Sequence, residues 1–430
     1  MKQTYKISPR WIFCTLCFLI HFRPASYVIG FTLNRLMNLA VILLSVLLAA
    51  LAIQKREQGY RMKQPTFLAL LVYFWMLIGS TVINRLLGNS VDFSDAVISF
   101  SNAFSFIMLC DLGMWESERK LMKSFLYASV PMTLLSALTF FAFYKSGGMN
   151  HNISEIIDGR RIELTYFLLA RDNATYFWVW PVTVMLWLYY YRYCQKKSFL
   201  MITAGYTLIQ SAAFLYVQSG LASAACLLVP AVLFYMRRRI GNFYQKPMKP
   251  QHRSPLVNNL WIGAVVFDVW LTVFAQLGWV QHIVQDVFHK NATLSGRTTI
   301  WARAYRCIIQ SPIWGYGCET AAVTETKLGI NHAHNIFLEC LYRGGVIGLL
   351  LFAVMLIVLR KTAGPYLSNP LCKFLFVFLA LFWFYSSVEF AFYRYHYLIL
   401  LVAVTNQSLL NERPEEQISR VLRLNIDRST

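Results

Sequence analysis

Long apolar runs separated by short polar segments fill most of this chain. A membrane-spanning helix needs about 20 mostly apolar residues, and twelve runs of roughly that length can be laid out along the sequence. The first is the least regular, because His21, Arg23 and Pro24 interrupt it. The pattern predicts an all-α polytopic integral membrane protein with about 12 transmembrane helices. The predicted spans lie near residues 11–30, 36–53, 65–84, 96–115, 121–143, 174–193, 198–217, 219–236, 257–275, 344–359, 374–390 and 396–410.

Composition agrees with this pattern. The 430 residues are 57% hydrophobic and 14% charged, whereas soluble domains average roughly 45 to 50% apolar and 25% charged residues. No internal repeat and no separate polar domain divides the runs. Residues 1–430 are therefore predicted to form a single membrane domain, in which residues 276–343 form one large extracytoplasmic loop.

The basic residues predict how the chain is oriented. Lys and Arg in short loops stay on the cytoplasmic side of a membrane protein, and the polar segment that begins with Arg237-Arg238-Arg239 contains no acidic residue up to residue 255. Placing this segment inside predicts that both termini are cytoplasmic. The net charge of +20 then reflects insertion and attraction to anionic membrane lipids, so no nucleic-acid partner is predicted.

Two predicted outer segments, residues 144–173 and 276–343, carry arginines that membrane insertion does not require. Each of these arginines alone is satisfied by solvent or by a lipid phosphate, which is the simpler interpretation. Their clustering in only two segments favours a shared anionic ligand, because guanidinium groups bind phosphates through paired hydrogen bonds. The arginines are Arg160, Arg161, Arg171, Arg297, Arg303, Arg306 and Arg343.

The long loop contains one amphipathic pattern. Apolar residues recur at helical spacing after Ser295 or Thr298, while Arg303 and Arg306 lie three residues apart on another face. This predicts a helix at the membrane surface, and anchoring at the headgroup level is its simplest role. Ser311-Pro312 should end the helix, and Gly315-Tyr316-Gly317 should form a turn whose backbone can approach a ligand closely.

Two histidines follow in the same loop. His332 and His334 are two residues apart, so they do not share a helix face as a metal-binding pair four residues apart would. A metal site remains an alternative in an extended segment, but no Cys or Asp lies at ligand spacing, and no cofactor or metal is predicted. An imidazole at the membrane surface suits proton transfer. Cys307 and Cys318 share the loop and are predicted to be free thiols, with a disulfide as the alternative.

The order of these motifs resembles a known family. Residues 295–303 read Ser-Gly-Arg-Thr-Thr-Ile-Trp-Ala-Arg, residues 311–317 read Ser-Pro-Ile-Trp-Gly-Tyr-Gly, residues 334–339 read His-Asn-Ile-Phe-Leu-Glu, and residues 343–350 read Arg-Gly-Gly-Val-Ile-Gly-Leu-Leu. Together they resemble the O-antigen ligase and O-antigen polymerase superfamily of bacterial envelope glycan enzymes. The specific resemblance covers about residues 295–350, and an outer Arg segment followed by Asp172-Asn173-Ala174 extends it weakly.

The resemblance implies transfer of a glycan from an undecaprenyl-diphosphate carrier to a sugar hydroxyl, at the outer face of the bacterial cytoplasmic membrane. By motif position, Arg297 would bind the diphosphate, and His334 would act on the acceptor hydroxyl as a base or by orienting it. The implied partners are the lipid-linked glycan and membrane lipids, together with a chain-length regulator and a flippase. The residues expected to contact the diphosphate or the glycan are Arg160, Arg161, Arg303, Arg306, Asn173, Asn335 and Tyr316.

One departure and several alternative functions accompany this resemblance. Many members carry a Ser-Arg pair entering the eighth span, but residues 218–223 contain no Arg, and Arg160 or Arg161 is the expected substitute. The favoured function is polymerisation of repeat units of O-antigen, capsule or exopolysaccharide. The alternatives are a ligase that transfers the finished glycan, a 12-span carrier or lipid-glycan flippase, and an envelope scaffold. Asp111 and Asp268 are the main carrier-like features.

Overall fold

A computed structural model gives the fold of the chain. It describes residues 9–146, 148–149, 156–157, 160–161, 166–168, 173–217, 219–245, 255–274, 297–367, 369–387 and 394–406.

The described residues are almost all helical, because a backbone in a bilayer must satisfy its own hydrogen bonds. A short π-helical segment (Trp75–Gly79) joins α4 to α5, and 3-10 turns follow α13 (Gly364–Tyr366) and precede α15 (Tyr395–Tyr397). Two short antiparallel strands pair as β1 (Ile156–Ile157) and β2 (Arg160–Arg161). The helices are α1 (Pro9–His21), α2 (Ser26–Ile29), α3 (Phe31–Arg56), α4 (Gln64–Phe74), α5 (Ser80–Leu86), α6 (Phe93–Phe143), α7 (Asn173–Tyr193), α8 (Lys197–Tyr216), α9 (Gly220–Gln245), α10 (Pro255–Phe274), α11 (Arg297–Gln310), α12 (Ala321–Leu328), α13 (Ile336–Ala363), α14 (Pro370–Ser386) and α15 (Leu398–Thr405).

The prediction of an all-α polytopic membrane protein is confirmed. Within the described ranges, five helical segments are long and apolar enough to cross a membrane, and five shorter helices are also apolar. The long ones are Phe31–Arg56, Gln64–Leu86, Phe93–Phe143, Lys197–Tyr216 and Ile336–Tyr366.

Two predicted spans fall within the single long helix α6. Its backbone becomes extended at Ser117, with φ −166° and ψ 97°. The chain turns so sharply there that a Cβ on Gly113 would collide with the side chain of Leu121. The two halves of α6 therefore pack as neighbours, as two separate spans would.

Contacts between helix ends show which of them lie together at each end of the bundle. At the first end, which we call the loop end, Asn84 Nδ2 donates to Gly315 O at 2.9 Å, and Val91 forms a β-bridge with Glu319. At the opposite end, the polar turn of α6 pairs with basic residues. Arg192 Nη2 lies 2.7 Å from Glu118 Oε1, and Glu116 forms ion pairs with Arg10 and Lys55.

Residues 297–343 build a small unit with its own apolar cluster at the loop end. Side chains from α10, α11, α12 and the start of α13 meet in this cluster. Burial of these side chains fixes how the loop packs on the bundle. The buried members of this loop cluster are Leu271, Trp301, Ala304, Cys307, Ile308, Tyr316, Leu328, Ala333, Leu338 and Tyr342.

Candidate active site

Helix α11 forms where the amphipathic pattern predicted it. It begins at Arg297 and ends at Gln310, immediately before Ser311-Pro312. Trp301, Ala304 and Ile308 are buried, and their spacing of three and four residues places them on one face. The surface helix of the long loop is therefore packed into the protein along one side.

The three arginines of α11 lie on different faces. Arg297 precedes Trp301 by four residues and Ala304 by seven, so helical geometry places it above the buried face. It is partly buried, whereas Arg303 and Arg306 are exposed. Arg297 therefore projects toward the loop cluster, while Arg303 and Arg306 do not share its direction.

Arg303 nonetheless contacts the chain that leads to the histidines. Helix α12 ends at Gly329, which has φ +82° and ψ 3°, in the left-handed region. A Cβ at Gly329 would collide with the Arg303 guanidinium. The left-handed backbone conformation is what favours glycine here, whereas the flexible Arg303 side chain can move aside.

The turn at residues 315–317 approaches protein backbone. A Cβ on Gly315 would lie 2.6 Å from Tyr342 O, and a Cβ on Gly317 would lie 2.6 Å from Thr81 N. Tyr316 N and Gly317 N donate to the carbonyl oxygens of residues 342 and 343, both at 2.8 Å. The two glycines let the turn fit between α5 and α13. The close backbone approach that was expected for a ligand is made here to these two helices.

Tyr316 is engaged within the loop. Its hydroxyl donates to Cys307 O at 2.9 Å, and Lys327 Nζ lies 3.6 Å from its ring centroid. Burial raises the pKa of Tyr316 to about 12. Both its hydroxyl and its ring face therefore already have partners in the protein.

Two buried glutamates organise the loop, and the sequence interpretation gave neither a role. Glu319 accepts hydrogen bonds from Lys327 Nζ and from the Tyr342 hydroxyl, each at 2.5 Å. Glu339 accepts from Arg343 Nε at 2.5 Å and from Ala333 N at 2.8 Å. The spacing of four between Glu339 and Arg343 is a readable helix ion-pair signal. The outer Arg343, expected to seek an anionic partner, finds it in this carboxylate.

The histidine pair lies in the segment that Glu339 holds. His334 has φ +50°, and within the described ranges it is the single non-glycine residue with positive φ. The rings of His332 and His334 meet edge to face, with centroids 4.0 Å apart. His332 is buried, whereas His334 is partly exposed. Of the two, His334 is therefore the one that a ligand can reach.

The described residues contain no complete metal-binding set. Among the residues that the structure describes, no group of three or more His, Cys, Asp or Glu side chains is placed to hold a metal ion. Cys307 and Cys318 are both free, as predicted. Burial raises the pKa of Cys318 to about 11, so its thiol is protonated at neutral pH.

Asn335 anchors the histidine segment to the membrane helices. It is fully buried, and its Oδ1 caps α13 by accepting from Leu338 N at 2.9 Å. Its Nδ2 donates to Asp268 Oδ1 at 2.7 Å and to Ser387 O at 2.8 Å. The side chain expected to contact the glycan is thus fully used in joining α10, α13 and the end of α14.

We predict that Asn335→Ala destabilises the protein by about 3 to 7 kcal/mol, the sum of one lost cap and two lost donors. The change removes a helix cap, worth about 1 kcal/mol, and leaves the buried Asp268 Oδ1 and Ser387 O without this donor, at roughly 1 to 3 kcal/mol each. Asp92→Ala is the control, because Asp92 caps α6 at the protein surface through Asp95 N. Unfolding of the purified variants in detergent would measure both. If Asn335→Ala were as stable as the wild type but inactive, Asn335 would act by contacting the substrate and not by stabilising the fold.

The earlier outer segment is described only in part. Arg160 and Arg161 form β2, whose partners are Ile157 and Ile156. Asn173 is the first residue of α7. The side chains of these three predicted site residues, and the whole of Arg171, lie outside what the structure describes.

The family comparison falls on the region just described. Residues 206–353 match a family model described as O-antigen ligase. The match includes α11, the histidine segment and the first half of α13, and it contains all the motifs between residues 295 and 350. No curated protein matches the chain. The resemblance stated from the motifs is confirmed over the matched residues.

Proposed function

We propose that the O-antigen ligase domain at residues 206–353 makes this chain a membrane glycosyltransferase that polymerises undecaprenyl-diphosphate-linked oligosaccharide repeat units of an O-antigen, capsule or exopolysaccharide. The observation that carries the proposal is the shared loop cluster. Trp301 and Ala304, on the Arg297 face of α11, pack in the same cluster as Ala333, which immediately precedes His334. One rigid unit thus presents a guanidinium and an accessible imidazole.

The proposed chemistry uses these two groups differently. Arg297 binds the diphosphate of the donor, where its paired N–H groups stabilise the negative charge that grows as the lipid diphosphate leaves. His334 accepts the proton from the acceptor hydroxyl as its oxygen attacks the anomeric carbon, or orients that hydroxyl. The glycosidic bond forms as the bond from the anomeric carbon to the phosphate oxygen breaks.

The backbone at His334 supports a functional assignment. Residues held at positive φ cost energy and persist where the surrounding structure fixes them. Here, Glu339 fixes Ala333 on one side, and the buried Asn335 fixes the other. The backbone that carries the imidazole is therefore held in one conformation before a substrate arrives, as proton transfer from a bound sugar hydroxyl to His334 requires.

The remaining predicted contacts fall into two groups. Arg303 and Arg306 are exposed on α11, where they suit the sugar chain or the lipid headgroups around it. Arg160 or Arg161 is proposed to supply the cation that residues 218–223 lack. Ser223 in that stretch hydrogen-bonds with Ser211 of α8 at 3.1 Å, so it serves helix packing.

A carrier is less well supported than a transferase. Carriers place charged groups near the bilayer midplane, on paired broken helices. Asp268 instead accepts a hydrogen bond from Asn335 next to the histidine segment, and Asp111 lies at the opposite end of the bundle with Tyr60. The two carboxylates that resembled carrier features thus belong to different ends of the protein.

We propose that the loop end faces outward in the bacterial cytoplasmic membrane and that both termini are cytoplasmic. The basic residues Arg10, Lys55 and Arg192 all lie at the opposite end, paired with the glutamates of the α6 turn. This grouping agrees with retention of positive charge on the cytoplasmic side. A flippase and a chain-length regulator are the proposed protein partners at the outer face.

The product formed by the purified protein tests the function. With a synthetic lipid-diphosphate repeat unit as the single substrate, a polymerase is expected to give a ladder of products that grow by one repeat. A ligase would leave the substrate unextended until a separate acceptor is added. Gel or mass analysis of the products distinguishes the two activities. If neither polymer nor free lipid diphosphate formed with any acceptor, both the polymerase and the ligase proposals would be contradicted.

A further inference from the structure

A cavity of about 190 Å³ lies at the end of the bundle opposite the candidate active site. This is roughly six times the 30 Å³ share of one water molecule in the liquid. The cavity lies where α4 begins, where α6 turns and where α15 ends. Among its lining residues are Tyr60, Arg61, Lys63, Asp111 and Trp115.

The inner wall of the cavity carries a buried carboxylate. Asp111 is 6% exposed. Its Oδ2 accepts from the Tyr60 hydroxyl at 2.5 Å, and its Oδ1 accepts from Thr66 Oγ1 at 3.3 Å. Among the described side chains, none forms an ion pair with it. Its direct hydrogen-bond donors are neutral hydroxyls, and Lys63 at the cavity mouth interacts with it electrostatically. A buried carboxylate is stabilised best by a cation paired with it directly.

The mouth of the cavity carries the opposite charge. Arg61 and Lys63 both line the cavity and are exposed. Trp115 is exposed beside them and meets Tyr60 edge to face, with ring centroids 5.6 Å apart. Tryptophan at this level is typical of the membrane interface, and an aromatic wall also favours an ammonium group.

We propose that this cavity binds the headgroup of an aminophospholipid such as phosphatidylethanolamine. The primary ammonium would reach Asp111 and the aromatic wall, while the phosphate would stay at the mouth with Arg61 and Lys63. The order of charges, negative inside and positive at the rim, matches a headgroup whose ammonium is terminal. Choline has no N–H to donate to Asp111, and a glycerol headgroup brings no cation.

A lipid titration of the delipidated full-length protein tests this site. Native mass spectrometry would count bound lipid, and thermal unfolding would report stabilisation, with phosphatidylethanolamine, phosphatidylcholine and phosphatidylglycerol added separately. We expect tight binding and a raised Tm with phosphatidylethanolamine only. Asp111→Asn should weaken that binding about tenfold, since a charge-assisted hydrogen bond becomes a neutral one. Glu57→Gln is the matched control, because Glu57 is exposed at the same bundle end and does not line the cavity.

A second variant, at the mouth of the cavity, tests the site independently of whether Asp111→Asn folds. Arg61→Glu with Lys63→Glu changes only exposed side chains, and it should also weaken phosphatidylethanolamine binding. Equal binding of all three lipids, or wild-type binding by Asp111→Asn, would overturn the proposal. Preference for phosphatidylglycerol would show an anion site instead of a zwitterion site. Competition by soluble phosphoethanolamine at the same concentration as the lipid would overturn the assignment to a membrane lipid.

Discussion

Arg297→Ala is expected to abolish polymer formation and to leave the lipid-linked repeat unit unconsumed. Loss of a group that stabilises developing negative charge costs roughly 100 to 1,000-fold in rate. Arg297 is the one arginine of α11 on the face that packs into the loop cluster with Trp301 and Ala304. Its loss should therefore remove the proposed diphosphate contact while the helix stays in place.

Lysine at position 297 should recover only part of the activity. A lysine ammonium keeps the positive charge but cannot supply the paired N–H groups that a diphosphate accepts. The assay is turnover of a synthetic lipid-diphosphate repeat unit by purified protein, with thermal unfolding run in parallel to establish that each variant is folded.

Arg306→Ala is the matched control for Arg297. Arg306 is on the same helix but is exposed on another face, so its removal should slow turnover far less. Wild-type polymer yield and chain length from folded Arg297→Ala would show that Arg297 does not bind the diphosphate. An equal loss in Arg306→Ala would show that the charge of α11 matters, and not the position of one guanidinium.

The elements of the fold could be predicted because each depends on a local pattern. Apolar runs give spans, since a bilayer excludes unsatisfied backbone groups. The spacing of Trp301, Ala304 and Ile308 predicted α11 and its buried face, because helical periodicity is also a local pattern. Ser311-Pro312 predicted where the helix ends. None of these inferences requires knowledge of a residue distant in the sequence.

The partners of the loop could not be predicted, because they come from distant parts of the chain. The glycines of the turn at residues 315–317 indicated a close approach, but the backbone they approach belongs to Thr81 and to residues 342–343. Asn335 was predicted to contact the glycan beside His334, and that contact stays a prediction. Its partners within the protein include Asp268, which lies 67 positions earlier in the sequence. Buried polar groups must find partners somewhere, and sequence spacing alone does not say where.

Glu339 shows an intermediate case. Its pairing with Arg343 follows from helix spacing and could have been predicted. Its second bond, to Ala333 N, could not, because it depends on the chain turning back before α13. That second bond is the one that holds the histidine segment, so the sequence reveals the ion pair but not its role.

His334 and His332 are expected to differ sharply when each is replaced. Removing a general base or an orienting imidazole costs roughly 100 to 10,000-fold in rate, so His334→Ala and His334→Gln should retain at most about 1% of the activity. His332 is 3% exposed, and it should matter mainly through packing against the His334 ring. Its replacement by glutamine is expected to lower activity much less.

The backbone at position 334 calls for a further variant. His334 has φ +50°, a conformation that asparagine adopts readily and that alanine and glutamine adopt less well. His334→Asn therefore keeps the backbone while removing the imidazole. If the imidazole is what matters, His334→Asn should be as inactive as His334→Ala and more stable to heat.

The assay should contain a metal chelator throughout and be repeated without it. Equal loss in the His332 and His334 variants, together with inhibition of the wild type by the chelator, would indicate that the two rings, whose centroids are 4.0 Å apart, bind a metal ion jointly. Full activity of His334→Asn would remove the imidazole from the mechanism. Only a large loss confined to position 334 and unaffected by the chelator supports proton transfer by His334, because a metal ligand pair would fail together and a packing residue would respond to volume instead of chemistry.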